Sequence, residues 1–304
     1  MGHLMSTDTL HAAAVPSAPA PESGPARAKT HVSGAAVARY VVLVILALIC
    51  LTPLYLFLTE SLKSQAELAA NPIGLPREWR WSNFAEAWTT GRIGSGLLNS
   101  LIIVTGTVLL VVVVSSLAAY AMARLQVAGS SGVFVYLLVA ASLPIQLFLV
   151  PLFYLMAQVH LYDTHLGLIL IHAAVFSPFA TLLLRSFMID IPKDFEEAAR
   201  IDGANELTVF ARILLPMAWP GVMTVALTVA LQSYNEFLLA VTFIQSDEFL
   251  PVSSAMFNFK QGFTQDYSLI SAAGVIMAAP MIIGFLLMQR KFMDGLTSSG
   301  LGGN

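Results

Sequence analysis

Six long stretches of this chain contain no charged residue and are largely apolar. They are the 20 residues Tyr40–Thr59, the 31 between Arg92 and Arg124, the 38 between Arg124 and Asp163, the 21 between Asp163 and Arg185, the 23 between Arg212 and Glu236, and the 23 between Asp266 and Arg290. About 20 apolar residues in a helix cross the ~30 Å hydrocarbon core of a bilayer. The pattern therefore predicts an all-α, polytopic membrane protein with six spans near residues 39–59, 98–122, 133–157, 165–188, 217–244 and 268–289.

Composition supports the bilayer as the solvent of this chain. Hydrophobic residues make up 57% and charged residues 11%, with a mean hydropathy of +0.77, whereas a soluble domain carries about 25% charged residues. Lipid-facing positions must be apolar as well, which accounts for the excess. The net charge of −3 gives no indication of a nucleic-acid partner, and a single cysteine excludes a disulfide framework within the chain.

The two ends differ from the predicted membrane domain of residues 37–296. Residues 1–36 are rich in Ala, Pro, Ser and Gly and show no apolar periodicity, which predicts a disordered tail. Residues 297–304 are predicted to form a short second tail. No apolar stretch follows a basic start within the first thirty residues, so the pattern does not indicate a signal peptide.

Lysine and arginine are divided unevenly between the two sides of the predicted membrane domain. An even number of spans places both termini on one side, which carries ten basic residues against five on the other. The ten are Arg27, Lys29, Arg39, Arg124, Arg185, Lys193, Arg200, Arg212, Arg290 and Lys291; the five are Lys63, Arg77, Arg80, Arg92 and Lys260. The positive-inside rule predicts that both termini of this multi-pass plasma or inner membrane protein are cytoplasmic.

The cytoplasmic segment between the fourth and fifth predicted spans is more than a connecting loop. Asp194 is a candidate N-cap, with Glu197 three residues later as in a capping box. Gly203 suits the left-handed position after a helix, and Asn205 is a candidate N-cap for a second helix that Pro216 interrupts. Two short helices joined at a glycine predict either a docking element for another protein or an interfacial helix pair that caps the bundle.

The same segment resembles a known family. Residues 197–204, then eight residues, then residues 213–216 match the pattern Glu-Ala-Ala-x-x-Asp-Gly-Ala-x8-Ile-x-Leu-Pro in full, which is the EAA loop of ABC importer permeases. Further stretches are similar to the carbohydrate-uptake, MalG-like branch of these binding-protein-dependent permeases: Ser61–Lys63, Asn99–Ser100, Ala118–Arg124, Val150–Leu152, Asn235–Phe237 and Gly295–Thr297. The resemblance covers roughly residues 40–297.

The resemblance implies the type I ABC importer permease fold and a set of partners. Two separate ATP-binding subunits would bind ATP and Mg²⁺, so no cofactor and no catalytic residue is expected in this chain. A second, related permease subunit would complete the pathway, and an extracytoplasmic solute-binding protein would deliver the solute. The EAA loop, residues 190–216, would seat in the ATPase through Glu197, Ala198, Ala199, Asp202, Gly203, Ala204, Ile213, Leu215 and Pro216. The external segment 245–267 would reach the binding protein, with Pro251, Phe257, Phe259 and Phe263 as candidate contacts.

Four polar residues in the predicted spans are candidates for contacts with the solute or with a partner helix: Gln146, His172, Asn235 and Glu236. Polar groups inside a membrane are costly and often functional. Each also has a structural interpretation, because Asn235 and Glu236 can hydrogen-bond within the bundle and His172 can be a hydrogen-bonded core residue. Gln146 lies between Pro144 and Pro151, where a kink would expose backbone carbonyls.

The predicted function is a permease subunit of an ATP-driven importer for a sugar or oligosaccharide. No Gly-Lys dipeptide occurs, so the chain has no Walker A loop, and it carries no serine-hydrolase or zinc-protease motif. Three alternatives were weighed: the same machine for a polyol or glycerol phosphate, a proton-coupled carrier using Glu236 and His172, and an intramembrane enzyme. The carrier leaves the EAA loop unexplained, and the enzyme lacks a paired nucleophile and base. The lack of Lys and Arg in the span interiors favours a neutral sugar over a phosphorylated solute.

Overall fold

The computed structural model describes residues 34–125, 127–261 and 264–300, and the side chains of residues 38–125, 127–254, 259 and 265–286. The α-helices are α1 (Gly34–Glu60), α2 (Gln65–Ala70), α3 (Ser82–Thr90), α4 (Ile93–Arg124), α5 (Ser130–Ser142), α6 (Leu149–Gln158), α7 (His165–Ile189), α8 (Asp194–Ile201), α9 (Glu206–Val209), α10 (Leu215–Met217), α11 (Trp219–Asn235), α12 (Leu238–Phe243) and α13 (Tyr267–Gly300). Tighter 3₁₀ turns cover Ile145–Phe148 and Val252–Phe259, and a wider π turn covers Phe210–Leu214. Two short strands, β1 (Lys260–Gln261) and β2 (Thr264–Gln265), pair antiparallel.

Among the described residues, four helices are long and apolar enough to cross a membrane. They are Ala38–Glu60 of α1, α4, α7 and Tyr267–Leu286 of α13. Two bent pairs also qualify, Ser130–Ser142 with Ile145–Gln158 at 93° and Glu206–Met217 with Trp219–Asn235 at 76°. The number of spans is six if each bent pair crosses once, and the predicted all-α membrane fold is confirmed.

The described chain divides into two units, residues 34–50 and residues 51–300. The first is the N-terminal part of α1, in which the side chains of residues 38–50 are all exposed. The helix begins at Gly34, inside the predicted tail of residues 1–36; residues 1–33 lie outside the described part of the chain. At the other end α13 runs to Gly300 and so includes residues 297–300 of the predicted second tail.

The core of the second unit lies where α4 packs along α7 and α11. The cluster nearest the cytoplasmic loop contains Val111 and Tyr120 of α4, Leu184 of α7, Phe210 of the π turn and Val225 of α11. Small residues let the helices approach closely: a Cβ on Gly106 of α4 would lie 2.7 Å from Ile169 of α7. The ends of these three helices nearest residues 190–216 therefore form one packed body to which that segment is joined.

Two predicted spans are broken instead of straight. The span predicted at 133–157 stops at Leu143, whose backbone is extended ahead of Pro144, and restarts through a 3₁₀ turn. The proline ring disfavours helical backbone at the preceding residue. The span predicted at 217–244 stops at Asn235 because Glu236 is extended, and α12 continues from Leu238.

Gly167→Ala should destabilise the protein. A Cβ at Gly167 would lie 2.0 Å from the carbonyl oxygen of Leu161, and this backbone atom cannot move away alone. Overpacking of this kind costs about 1–3 kcal/mol, so a lower midpoint of thermal unfolding is expected for the purified, detergent-solubilised protein. Gly132→Ala is the matched control, since Gly132 is also the third residue of a helix and nothing lies within 4 Å of its added Cβ. A midpoint for Gly167→Ala equal to that of Gly132→Ala would contradict this packing.

Candidate functional site

Helix α8 opens the cytoplasmic segment and carries its negative charge in the first turn. The predicted capping box is wrong: Lys193 occupies the N-cap with helical backbone and no side-chain hydrogen bond, and Asp194 is the first helical residue. The Lys193 carbonyl accepts from the N–H groups of Glu196 and Glu197 at 2.9 and 3.0 Å, so the helix starts one residue earlier than the capping box requires. Asp194, Glu196 and Glu197 then lie in the first turn, where carboxylates interact favourably with the positive end of the helix dipole.

The turn between α8 and α9 is a Schellman motif. Gly203 has a φ of +84°, a left-handed conformation that glycine adopts without steric cost. The Ala204 N–H donates to the Ala199 carbonyl at 2.9 Å and the Gly203 N–H to the Arg200 carbonyl at 3.1 Å. Asn205 then caps α9 by accepting from the Thr208 N–H at 2.9 Å. The positions predicted for Gly203 and Asn205 are therefore those found.

The second helix of the segment is less regular than the sequence pattern predicts. After α9 the chain widens into the π turn, and α10 ends at Met217, one residue beyond Pro216. The following helix α11 starts at Trp219, with Pro220 in its first turn, at 76° to residues 206–217. Two prolines four residues apart remove two backbone donors, which accounts for a bend at this point.

The segment carries both exposed and buried large apolar side chains. Three are exposed, Phe195 by 51%, Ile201 by 87% and Leu207 by 68%. Val209, Phe210 and Leu214 are buried, the latter two in the cluster of α4, α7 and α11. We call Phe195, Ile201 and Leu207 the docking face.

The predicted coupling residues lie around this docking face. The exposed ones are Glu197, Ala198, Asp202, Gly203 and Pro216, and the half-buried ones are Ala199, Ala204, Ile213 and Leu215. Five of the nine pattern residues are thus exposed, while their immediate neighbour Glu196 is buried.

Glu196 forms a buried ion pair that the sequence did not reveal. Its Oε1 lies 2.8 Å from Nε of Arg124, the last residue of α4, and these two side chains are 2% and 3% exposed. The two groups are in close charge contact, but the Nε–H of Arg124 does not point at Oε1 of Glu196, so the contact is not a hydrogen bond. Arg124 Nη2 also donates to the Met188 carbonyl at 2.5 Å and to the Ile191 carbonyl at the inner end of α7.

Three further side chains extend the pair into a network at the surface. Arg200 Nη2 lies 3.2 Å from Glu196 Oε2, and Arg200 Nε donates to Glu206 Oε1 at 3.0 Å. The Tyr120 hydroxyl, one turn before Arg124, donates to Glu206 Oε2 at 2.5 Å. The hydrogen bond to Glu206 raises the pKa of Arg200 above its ordinary value, against a small opposing effect of burial. We call Tyr120, Arg124, Glu196, Arg200 and Glu206 the inner charge network.

The candidate pathway residues lie in three places. His172 is 1% exposed, with Nδ1 3.0 Å from Ser233 Oγ and Nε2 3.7 Å from Glu236 Oε2. The Glu236 carboxylate accepts from the N–H groups of Leu239 and Ala240 at the start of α12. Both therefore make bonds within the chain. Gln146 is exposed on the 3₁₀ turn where the third span bends.

Asn235 lines a groove of about 830 Å³ formed by the end of α1, α11 and α13. Its amide donates to the Leu231 carbonyl at 2.9 Å, and Tyr234 beside it donates to the Met277 carbonyl at 2.8 Å. Aromatic side chains are frequent in the lining, which includes Phe57, Tyr234, Phe237 and Tyr267, and none of the described lining residues is charged. A groove with aromatic faces and a few hydrogen-bonding groups suits a neutral polar solute.

Two of the candidate binding-protein contacts face inward. Phe259 is 2% exposed and packs with Ala87, Ile93 and Leu269, and Pro251 is also buried. They fill the space between the external segment and the spans, so the expectation that they are free to contact a partner is not met. Phe263 and the side chain of Phe257 lie outside the described residues.

The start of this external segment is held by the loop between α6 and α7. Asp163 Oδ1 accepts from the N–H groups of Gln245 and Ser246 at 2.8 and 2.9 Å, and Oδ2 accepts from Ser246 Oγ. Asn99 of α4 donates to the carbonyls of Glu248 and Leu250 at 2.7 and 3.0 Å. Burial raises the pKa of Asp163, but the hydrogen bonds from Ser246 and Gln245 outweigh it and hold the pKa below the ordinary 3.8.

Comparison with known proteins identifies the family. Residues 111–295 match the model of the binding-protein-dependent transport system inner membrane component. The chain is 34% identical over 264 residues, 86% of this chain and 87% of the other, to the diacetylchitobiose uptake system permease protein NgcG of Streptomyces coelicolor. The chain belongs to this permease family. It is a multi-pass membrane transport subunit of the ABC importer class, as the EAA resemblance predicts.

Two further comparisons agree with this assignment. The permease is 31% identical over 252 residues, 83% of this chain and 91% of the other, to the melibiose/raffinose/stachyose import permease protein MelC of Bacillus subtilis. Its fold is similar, with a TM-score of 0.72 and 21% identity over 84% of this chain and 95% of the other, to a chain in the crystal structure of a bacterial ABC transporter that imports the acidic polysaccharide alginate. An importer of this class works in general with an ATPase and a solute-binding protein.

Asp163→Asn should lower stability at neutral pH and have less effect in acid. Because the folded-state pKa of Asp163 is depressed, its contribution is present above the ordinary value of 3.8 and is lost as the pH falls through the lower folded-state pKa. The measurement is the thermal midpoint of the wild type and of Asp163→Asn at pH 6 and near pH 3. A difference between the two proteins that stays constant from pH 6 to pH 3 would contradict the assignment.

Proposed function

We propose that this permease forms half of the translocation pathway of an ATP-driven sugar importer and couples to a separate ATPase through the segment 194–216. The observation that carries the proposal is the docking face. Phe195, Ile201 and Leu207 are exposed on short helices that also carry buried side chains. Large apolar side chains grouped on a surface mark interaction sites, and this surface lies in the segment that matches the EAA pattern.

The docking face favours a protein partner over the membrane surface. Charged side chains surround it, since Asp194, Glu197, Asp202 and Arg212 are all exposed. An interfacial helix would instead carry a basic polar face toward anionic headgroups. An apolar centre with a charged rim is the composition of a protein interface. ATP and Mg²⁺ then belong to the two ATP-binding subunits, and the chain itself acts without catalysis.

The remaining partners and the orientation follow from the same assignment. An ATPase bound at the docking face would lie in the cytoplasm, so residues 190–216 and both termini are proposed to be cytoplasmic, in agreement with the distribution of Lys and Arg. A second, related permease subunit completes the pathway. The solute-binding protein meets the external side, where Asp247 and Glu248 are exposed on the segment held by Asp163 and Asn99.

A neutral sugar or oligosaccharide is the proposed solute. Two relatives that are more than 30% identical to this chain carry saccharides in their names: diacetylchitobiose for NgcG, and melibiose, raffinose and stachyose for MelC. The groove beside Asn235 is lined by Tyr234, Phe237 and Tyr267. Aromatic faces stack on the apolar faces of sugar rings, and a groove lining without charge does not favour a phosphorylated solute.

Ile201→Asp should release the ATPase. Placing a charge at the centre of the docking face removes an apolar anchor, and loss of such an anchor costs about 2 kcal/mol or more. The ATPase that co-purifies with the permease should fall by about tenfold or more. The matched control is Ile73→Asp, the same change at an exposed isoleucine of the external loop, which should leave the yield of ATPase unchanged. Equal yields from the two variants would refute the docking face.

Uptake assays with the reconstituted importer test the solute. Membrane vesicles containing both permeases, the ATPase and the binding protein should accumulate a labelled di- or trisaccharide when ATP is supplied, and glycerol phosphate should not compete. If glycerol phosphate or a polyol competes at concentrations equal to those of the saccharide, the sugar assignment is wrong and that class of solute takes its place. Uptake driven by a pH gradient in the absence of the ATPase would replace the importer mechanism itself.

A further inference from the structure

We propose that the buried ion pair of Arg124 and Glu196 is the joint that passes movement of helix α8 to the spans α4 and α7. The inference rests on the proposed function, because it takes α8 as the helix that the ATPase moves. It concerns the side of α8 opposite the docking face, and it gives Arg124 and Glu196 a positioning role in transport.

The geometry joins three elements at one guanidinium. Arg124 ends α4, its Nε faces the carboxylate of Glu196 on α8 at 2.8 Å, and its Nη2 reaches the carbonyls of Met188 and Ile191 at the end of α7. The planar guanidinium presents donors in fixed directions. Helix α8 therefore cannot slide along α4 or α7 without breaking contacts of a buried charge.

Separating the two buried charges of this joint is costly. Removing one partner of a buried ion pair leaves an uncompensated charge and is strongly destabilising. Both side chains of this pair are almost completely buried, at 3% and 2% exposure. Water is therefore a poor substitute for either partner during a partial separation. A displacement of α8 that keeps the pair intact must carry the inner ends of α4 and α7 with it.

The rest of the inner charge network ties the second docking helix to the same turn of α4. Arg200 bridges Glu196 of α8 and Glu206 of α9, and Glu206 accepts from Tyr120, four residues before Arg124. Two cations and two anions balance one another within the network. Because α8 and α9 are both fastened to the last turn of α4, the docking segment is expected to move as one body with that helix.

The test uses the complete importer with two variants of the pair. Glu196→Gln removes the charge at nearly constant volume, and Arg124→Lys keeps the charge but loses the planar fork. The matched control is Asp190→Asn, which removes one exposed carboxylate at the end of α7. The measurements are the ATPase that co-purifies, the rate of ATP hydrolysis in the presence of loaded binding protein, and the solute imported per ATP hydrolysed.

The expected result is uncoupling. Glu196→Gln should retain the ATPase and hydrolyse ATP while the solute imported per ATP falls at least about tenfold, with a smaller fall for Arg124→Lys and none for Asp190→Asn; tenfold corresponds to about 1.4 kcal/mol of lost coupling. A change confined to folding would lower the amount of importer without altering this ratio.

Two results would overturn the joint. One is an unchanged ratio in both Glu196→Gln and Arg124→Lys; should Glu196→Gln fail to reach the membrane, the ratio in Arg124→Lys decides alone. The other is loss of the ATPase from Glu196→Gln, which would make the pair a support of the docking face instead of a transmitter. Failure of the proposed function is separate, because it would appear as normal ATPase retention in Ile201→Asp.

Discussion

The interior of a bilayer contains no water to satisfy backbone groups, and the arrangement of this permease follows from that constraint. Wherever a span is interrupted, another group must replace the lost helix hydrogen bonds. At the break after Asn235 the Glu236 carboxylate accepts from Leu239 and Ala240. At the C-terminal end of α7 the Arg124 guanidinium donates to the carbonyls of Met188 and Ile191. Polar side chains thus sit where the helices end or break, and these are also the points at which neighbouring helices are joined.

This placement gives a structural reason for the polar residues that a transport pathway would otherwise explain. His172 and Glu236 contact one another, and each makes further bonds to Ser233 or to the start of α12. The pair therefore holds α7 against the broken fifth span. A proton-coupled carrier would use these two groups as its exchanging sites, whereas membership of the permease family assigns the energy source to an ATPase.

Periodicity and local chemistry predicted the spans and the turn at Gly203, because both depend on short-range patterns. Apolar length sets a span, and a left-handed backbone position selects glycine. The inner charge network was not predictable in this way. Tyr120 and Arg124 are four residues apart on one helix and Glu196 and Arg200 four apart on another, a spacing visible in the sequence. Arg124 and Glu196 are 72 residues apart, so the sequence does not show that they are in contact. Glu196 also directly precedes Glu197, the glutamate of the EAA pattern, and in the sequence both look like exposed acids. The prediction that Phe259 contacts the binding protein failed for a different reason. In the sequence, aromatic residues in a loop resemble a binding surface, and only the folded structure shows that this loop packs onto the spans.

The contrast between the two sides of α8 explains why the segment needs a charge pair beneath an apolar docking face. Apolar contacts are non-directional, so a helix held to the membrane domain by apolar packing alone could adopt several registers of similar free energy. A docking face must be apolar to bind a partner, but a helix that transmits force must keep one register while the partner moves. A buried guanidinium that faces one carboxylate and donates to two carbonyls favours that register, because each alternative position leaves a charge or a carbonyl unsatisfied. In the proposed joint, the cost of separating the buried charges of Arg124 and Glu196 would therefore supply the stiffness with which α8 moves α4 and α7.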